Sequence, residues 1–156
     1  MNYKNQIRFG TCTLDGDFLS FQTELSSKDL IAIGSVVYKF VSTDGKTVYK
    51  VGKAEGASGM SSRINTYVQK ANVKSDYYGQ HESATSRFIV NAMQDNGIEQ
   101  FEIWMVPCKD VTTEIFCIDR KETITMTVST ARAYEANLSE YLTSIGEPLI
   151  FSKQKK

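Results

Sequence analysis

Residues 36–51 constrain the fold of this 156-residue chain more than any other stretch. The run Val36-Val37-Tyr38-Lys39-Phe40-Val41 is largely apolar and β-branched, as a well-buried strand requires. It is followed by Ser42-Thr43-Asp44-Gly45-Lys46 and then by Thr47-Val48-Tyr49-Lys50-Val51. Two extended runs flanking an Asp-Gly turn form a hairpin. The second run carries a peculiarity: Lys50 stands two residues before Gly52, and Lys53 directly after it.

Other elements follow from periodicity and caps. Residues 7–23 alternate around Asp15-Gly16, with Ile7, Phe9 and Cys12 before it and Phe18 and Phe21 after it, which suggests a further hairpin. Ser26 or Ser27 caps a short helical turn through Leu30. Ser61 or Ser62 caps a helix whose apolar stripe is Ile64, Tyr67 and Val68. After a polar, tyrosine-containing loop over residues 71–80, Ser83 or Thr85 starts a helix with Phe88, Ile89, Ala92 and Met93 inward, stopped by Asn96-Gly97. Residues 101–106 and 113–118 read as strands. Ser129-Thr130 then caps a helix over residues 131–145, with Ala131, Tyr134, Leu138, Tyr141, Leu142 and Ile145 on one face. This order describes an α+β domain.

The length suits one such domain, and 41% hydrophobic with 23% charged residues is an ordinary globular composition. Cys12, Cys108 and Cys117 are odd in number and lack metal-site spacing, so they read as small buried side chains. No apolar run approaches the roughly 20 residues of a membrane span, and the N-terminus does not read as a signal peptide. The expectation is a cytoplasmic protein without a membrane partner.

Lys plus Arg and Asp plus Glu each number 18, so net charge advertises no polyanion. The distribution is uneven. Lys46, Lys50, Lys53, Arg63, Lys70, Lys74 and Arg87 outnumber Asp44, Glu55, Asp76 and Glu82 in the middle of the chain, and residues 153–156 are basic. Two charged residues sit on or beside apolar helix faces. Glu135 lies along the stripe of the last helix, where a carboxylate needs a partner unless its head reaches water. Arg63 leaves the first turn of its helix, where an arginine fork suits phosphate oxygens, although an exposed ion pair explains it as well.

Taken in order, Val36-Val37-Tyr38, the hairpin, Val51-Gly52-Lys53, Arg63 and Glu135 within Ala133-Tyr134-Glu135-Ala136-Asn137-Leu138 resemble the GIY-YIG nuclease superfamily over about residues 35–142. Val-Val-Tyr replaces the first motif, and Lys50 occupies the second motif's tyrosine position. That lysine resembles the small type II restriction endonucleases, as does Ser129-Thr130-Ala131-Arg132 before the glutamate. The asparagine found late in some members has no clear counterpart in Gly146-Glu147-Pro148-Leu149-Ile150.

The resemblance implies a small central antiparallel sheet flanked by helices. It divides the single domain into an N-terminal hairpin extension (1–34), a catalytic core (35–145) and a basic tail (146–156). It implies a sequence-specific endonuclease for double-stranded DNA that requires Mg²⁺, with Mn²⁺ as substitute, and acts as a homodimer or higher homo-oligomer. Glu135 would bind the metal, Arg63 clamp the scissile phosphate, and Lys53 lie near it. Tyr38 would be general base or water-orienting group, needing a positive charge nearby to ionise. Lys70, Lys74, Tyr77 and Arg87 would contact DNA. Alternatives are a low-specificity phage or repair nuclease and an inactive DNA-binding module.

The hairpin register decides whether Lys50 serves Tyr38. A two-residue Asp44-Gly45 loop would set Tyr38 across from Val51. A three-residue loop with Gly45 left-handed would pair Tyr38 with Lys50 and turn Tyr49 to the other face. The proposed chemistry requires the second.

Overall fold

The computed structural model describes residues 5–72 and 85–152. Its architecture is α+β. Strands β1 (Ile7–Asp15), β2 (Phe18–Thr23), β3 (Val36–Ser42), β4 (Val48–Ala54) and β5 (Gln100–Pro107) form an antiparallel sheet in the order β2-β1-β5-β3-β4. Helices α1 (Ser27–Ile33), α2 (Gly59–Asn72), α3 (Thr85–Asp95) and α4 (Thr130–Ser144) accompany it. Strands β6 (Val111–Cys117) and β7 (Glu122–Val128) make a separate two-stranded ribbon.

Every residue of β3 is buried, which explains its lack of apolar alternation: both its faces are covered. On one face, Tyr38 and Phe40 join Phe101, Ile103 and Met105 of β5, beneath Leu30 of α1, Met60 and Tyr67 of α2, and Ile89, Val90 and Met93 of α3. Phe40 stacks on Phe101 with ring centroids 4.5 Å apart and meets Tyr67 edge-on at 5.9 Å. On the other face, Val37, Val48 and Val51 pack against Ala131 and Leu142 of α4. The N-terminal hairpin continues the sheet, since β1 pairs with β5.

Several helix ends follow their expected chemistry. Ser26 caps α1 in a reciprocal box: its hydroxyl accepts the Asp29 N–H at 3.1 Å, and the Asp29 carboxylate accepts the Ser26 N–H at 2.9 Å. Ser129 likewise caps α4. Helix α2, however, starts at Gly59, so Ser61 and Ser62 lie inside its first turn rather than capping it. The last helix also differs from its expected face. Ala131 and Leu142 are buried and Leu138 partly so, but Tyr134, Tyr141 and Ile145 are exposed, because α4 packs on the β3–β4 side of the sheet through a narrow stripe.

The hairpin register departs from both expectations. Gly45 is left-handed, with φ 74°, as the turn requires. The loop is nevertheless wider than three residues: the Ser42 N–H donates to the Thr47 carbonyl at 2.8 Å, leaving residues 43–46 outside the ladder. Asp44 holds that loop by accepting from the Ser42 hydroxyl at 2.6 Å and the Lys46 N–H at 3.0 Å. A bulge at Tyr49 then adds a second slip between the Val41–Val48 and Phe40–Lys50 pairs. Tyr38 therefore lies opposite Gly52, and Lys50 opposite Phe40. Because two slips preserve parity, Lys50 stays on the Tyr38 side, two pairs along the ladder. The bulge also turns Tyr49 toward that side, against the expected opposite face, where it packs on Phe151 with centroids 4.8 Å apart.

The C-terminal segment closes the outer edge of β4. Glu147 accepts the Val48 N–H at 2.9 Å, and the Phe151 N–H donates to the Tyr49 carbonyl at 2.9 Å. Phe151 is fully buried, so this part of the expected tail belongs to the core. The basic residues 153–156 lie outside the described residues.

Gly52 is needed because the Tyr38 ring edge and hydroxyl occupy the space that a Cβ there would fill. Overpacking of this kind costs about 1–3 kcal/mol. Gly52→Ala should lower unfolding stability by that amount in denaturant titrations. The same change in a Tyr38→Ala background should be nearly neutral; additive losses would show that Tyr38 is not the obstacle.

Candidate active site

Tyr38, Lys50, Lys53, Arg63 and Glu135 arrive on three kinds of scaffold: the interior strand β3, the edge strand β4, and helices on opposite faces of the sheet. Lys50 leaves β4 on the Tyr38 side. Lys53, opposite Val37, leaves on the side covered by α4. The charges of Lys53, Lys50 and Arg63 all favour the Glu135 carboxylate.

Glu135 is half-buried, and its Oε2 atom is buried without a hydrogen-bond partner. Burial raises the Glu135 pKa above the ordinary glutamate value, the three cations oppose that rise, and the neighbouring Glu55 adds to it. Arg63 is tied to the edge strand: its Nη2 donates to the Lys53 carbonyl at 3.1 Å. Lys53 Nζ pairs with Glu55 Oε1 at 3.0 Å, while Arg132 Nε lies 3.9 Å from the same oxygen. A hydrogen bond from Lys53 depresses the Glu55 pKa, with Ser129 and Arg132 helping.

Tyr38 is 2% exposed, and its hydroxyl hydrogen-bonds that of Tyr67, which is 3% exposed. Burial pushes the Tyr38 pKa well above its ordinary value, Tyr67 raises it further, and Arg63 only partly offsets both. Burial raises Tyr67 as well. Burial and Tyr67 thus favour the neutral phenol of Tyr38, and of the cations only Arg63 acts against them. Lys50 does not stand across from it; its charge acts on Glu135.

Tyr67 and Glu55 were not singled out from sequence. Tyr67 was read as part of an apolar stripe, yet its position one turn after Arg63 sets its hydroxyl against Tyr38 while its ring fills the core. Glu55 follows Lys53 by two residues, but only the fold brings Ser129 and Arg132 to it.

The remaining candidates sit elsewhere. Arg87 lies in the first turn of α3, which packs beside α2. Lys70 is on α2, though only its backbone is described; Lys74 and Tyr77 lie outside the described residues.

No cluster of three or more His, Cys, Asp or Glu groups suited to a metal occurs among the described residues. A hard cation that keeps most of its waters does not need one, because magnesium accepts one or two carboxylates and fills its octahedron with water and phosphate oxygens. An unpartnered carboxylate oxygen on Glu135 is a fitting anchor for such an ion.

No family model matches the chain, and no curated protein does. Solved structures do. A mutant of bacteriophage T4 EndoII superposes with a TM-score of 0.57 at 20% identity, covering 88% of each chain. The restriction endonuclease HPY188I in complex with product DNA superposes with a TM-score of 0.51 at 17% identity, covering 98% of this chain and 83% of that one. The chain shares the fold of these two nucleases.

The raised Glu135 pKa has a consequence for stability. The folded protein holds this proton more tightly than the unfolded chain, so stability falls as pH rises from the ordinary glutamate range through the raised value. Glu135→Gln removes that loss. In thermal melts without divalent ions, Glu135→Gln should be more stable than wild type at neutral pH. The advantage should vanish at pH values below the ordinary glutamate pKa. An equal melting temperature at neutral pH would show that the carboxylate is not strained.

Proposed function

We propose that the chain is a Mg²⁺-dependent endonuclease of the GIY-YIG type, hydrolysing phosphodiester bonds of double-stranded DNA in a sequence-specific, restriction-like manner. Mn²⁺ would serve as a substitute ion. The observation that carries this reading is the unpartnered Glu135 oxygen, surrounded by three cationic side chains beside a buried tyrosine pair. The fold shared with a phage endonuclease and with a restriction endonuclease supports it.

Each side chain has a physical task in this reading. Glu135 would hold a divalent ion, which when bound would supply Lewis-acid stabilisation of the phosphoryl and departing oxygens. Arg63, its guanidinium braced on the Lys53 carbonyl, holds the scissile phosphate and offsets the charge that develops in the transition state. Lys50 and Lys53 raise the local positive potential that draws in the DNA backbone and keeps Glu135 ionised. Lys53 must exchange its Glu55 partner for a phosphate oxygen when DNA arrives. Tyr38, a neutral phenol, orients the attacking water through hydrogen bonding and does not act as a resident base. Tyr67 fixes the rotation of the Tyr38 hydroxyl.

A second reading is a nuclease of low sequence preference on the same site. The product pattern separates the two. With Mg²⁺ and varied plasmids, discrete fragments support the restriction-like reading, and nicks or smears the second. No cleavage with Mg²⁺ or Mn²⁺ would remove both.

Glu135→Ala should abolish cutting while DNA retention in gel shift remains. Arg63→Lys keeps the charge but loses the planar fork, and should slow single-turnover cleavage about 100-fold.

Lys50→Ala should also impair cutting, and higher pH should not restore it. Lys50 acts on Glu135 and the phosphate, so a pH-rescued variant would instead place it as an activator of the Tyr38 phenol.

A further inference from the structure

Lys53 acts on two carboxylates and is bound to one of them. Its Nζ pairs with Glu55 Oε1 at 3.0 Å, yet among the cations that favour the Glu135 carboxylate it is the strongest. Glu135 Oε2 nevertheless stays buried without a hydrogen-bond partner. A buried acceptor left in that condition is costly. An ammonium on a flexible four-carbon stem beside it closes onto it unless something holds the ammonium elsewhere.

We propose that Glu55 is that hold: a positioning residue that keeps Lys53 off Glu135, so that the carboxylate stays open for a divalent ion. The proposal rests on the reading of Glu135 as the metal anchor. Glu55 directly follows β4 and is fixed by the start of α4, where the Ser129 hydroxyl hydrogen-bonds it and Arg132 Nε lies 3.9 Å from its Oε1. Ser129 caps α4, and Arg132 lies in its first turn. At about 1.5 Å of rise per residue, Glu135 stands roughly 4.5 Å beyond Arg132 and roughly 9 Å beyond Ser129 along the helix axis. Lys53 is therefore drawn to the start of α4, short of Glu135.

The strength of the hold follows from its shielding. The Lys53 and Glu55 side chains are 27% and 32% exposed, so their pair is screened less than one in open water. Arg132, 74% exposed, adds a looser charge. The two carboxylates thus have different tasks. Glu55 is neutralised by Lys53 and Arg132, whereas Glu135 keeps an oxygen to spare.

Two measurements on the full chain test this. In a crystal structure of Glu55→Gln, Lys53 Nζ should lie within hydrogen-bond distance of Glu135 Oε2; a lysine that stays at position 55 or turns to solvent overturns the proposal. Mn²⁺ binding without DNA, followed by electron paramagnetic resonance, supplies the second. Glu55→Gln should weaken Mn²⁺ binding about 10- to 100-fold, the scale on which residues that orient a metal ligand act. Adding Lys53→Met should restore wild-type affinity, while Lys53→Met alone should change it less than about threefold. A double variant as weak as Glu55→Gln would make Glu55 a ligand of the ion, and equal effects of Lys53→Met in both backgrounds would reduce the matter to additive charge; either overturns the proposal. If Glu55→Gln fails to fold, Glu55→Ala carries the same tests. A wild type that binds no Mn²⁺ removes the anchor reading and with it the purpose of the hold, whereas a wild type that binds Mn²⁺ and a Glu55→Gln that binds it equally well remove the hold alone.

Discussion

The Tyr38 ring lying across Gly52 is the contact on which the rest of the arrangement depends. It requires a strand buried on both faces, because β3 must hold Tyr38 and Phe40 in the core on one side and Val37 against α4 on the other. It requires a glycine on the facing strand, since any Cβ would occupy the ring's place. Tyr67 then locks the hydroxyl, which fixes α2 over β3 and β4. Arg63, one turn earlier on α2, is delivered to the edge strand by the same packing.

Electrostatics follow from that geometry. Glu135 lies half-buried within the field of Lys53, Lys50 and Arg63. Burial there penalises the carboxylate, the cations relieve it only in part, and one oxygen remains unpartnered. A group kept in that condition costs stability, and structures retain such costs mainly where a ligand compensates them. The tyrosine pair contributes the opposite property: burial raises the pKa of both hydroxyls and so favours their neutral form. Positive charge is thus concentrated on the carboxylate and the place for an anion, not on the phenol.

Much of this was legible in the sequence because local rules decided it. The paired runs around Gly45, the Ser26 and Ser129 caps, and the apolar positions of α3 depend on neighbours within a few residues. The register was not local. Asp44 widened the loop by one residue and Tyr49 bulged by one, so Tyr38 came to face Gly52 in place of Lys50. Lys50 kept its side of the sheet only because two slips restore parity. Strand β7 has no counterpart among the expected elements, although Glu122-Thr123-Ile124-Thr125-Met126-Thr127-Val128 alternates with period two. The Glu55 cluster was invisible for a different reason: its partners Ser129 and Arg132 lie more than seventy positions away in the chain.

In the proposed reading, the unpartnered Glu135 oxygen anchors a divalent ion at this edge. Electron paramagnetic resonance of Mn²⁺ titrated into the protein with uncleavable phosphorothioate DNA tests it most directly. The account predicts a protein-bound Mn²⁺ signal that disappears in Glu135→Gln while DNA binding persists. Equal Mn²⁺ binding by wild type and Glu135→Gln, or none by either, would contradict it.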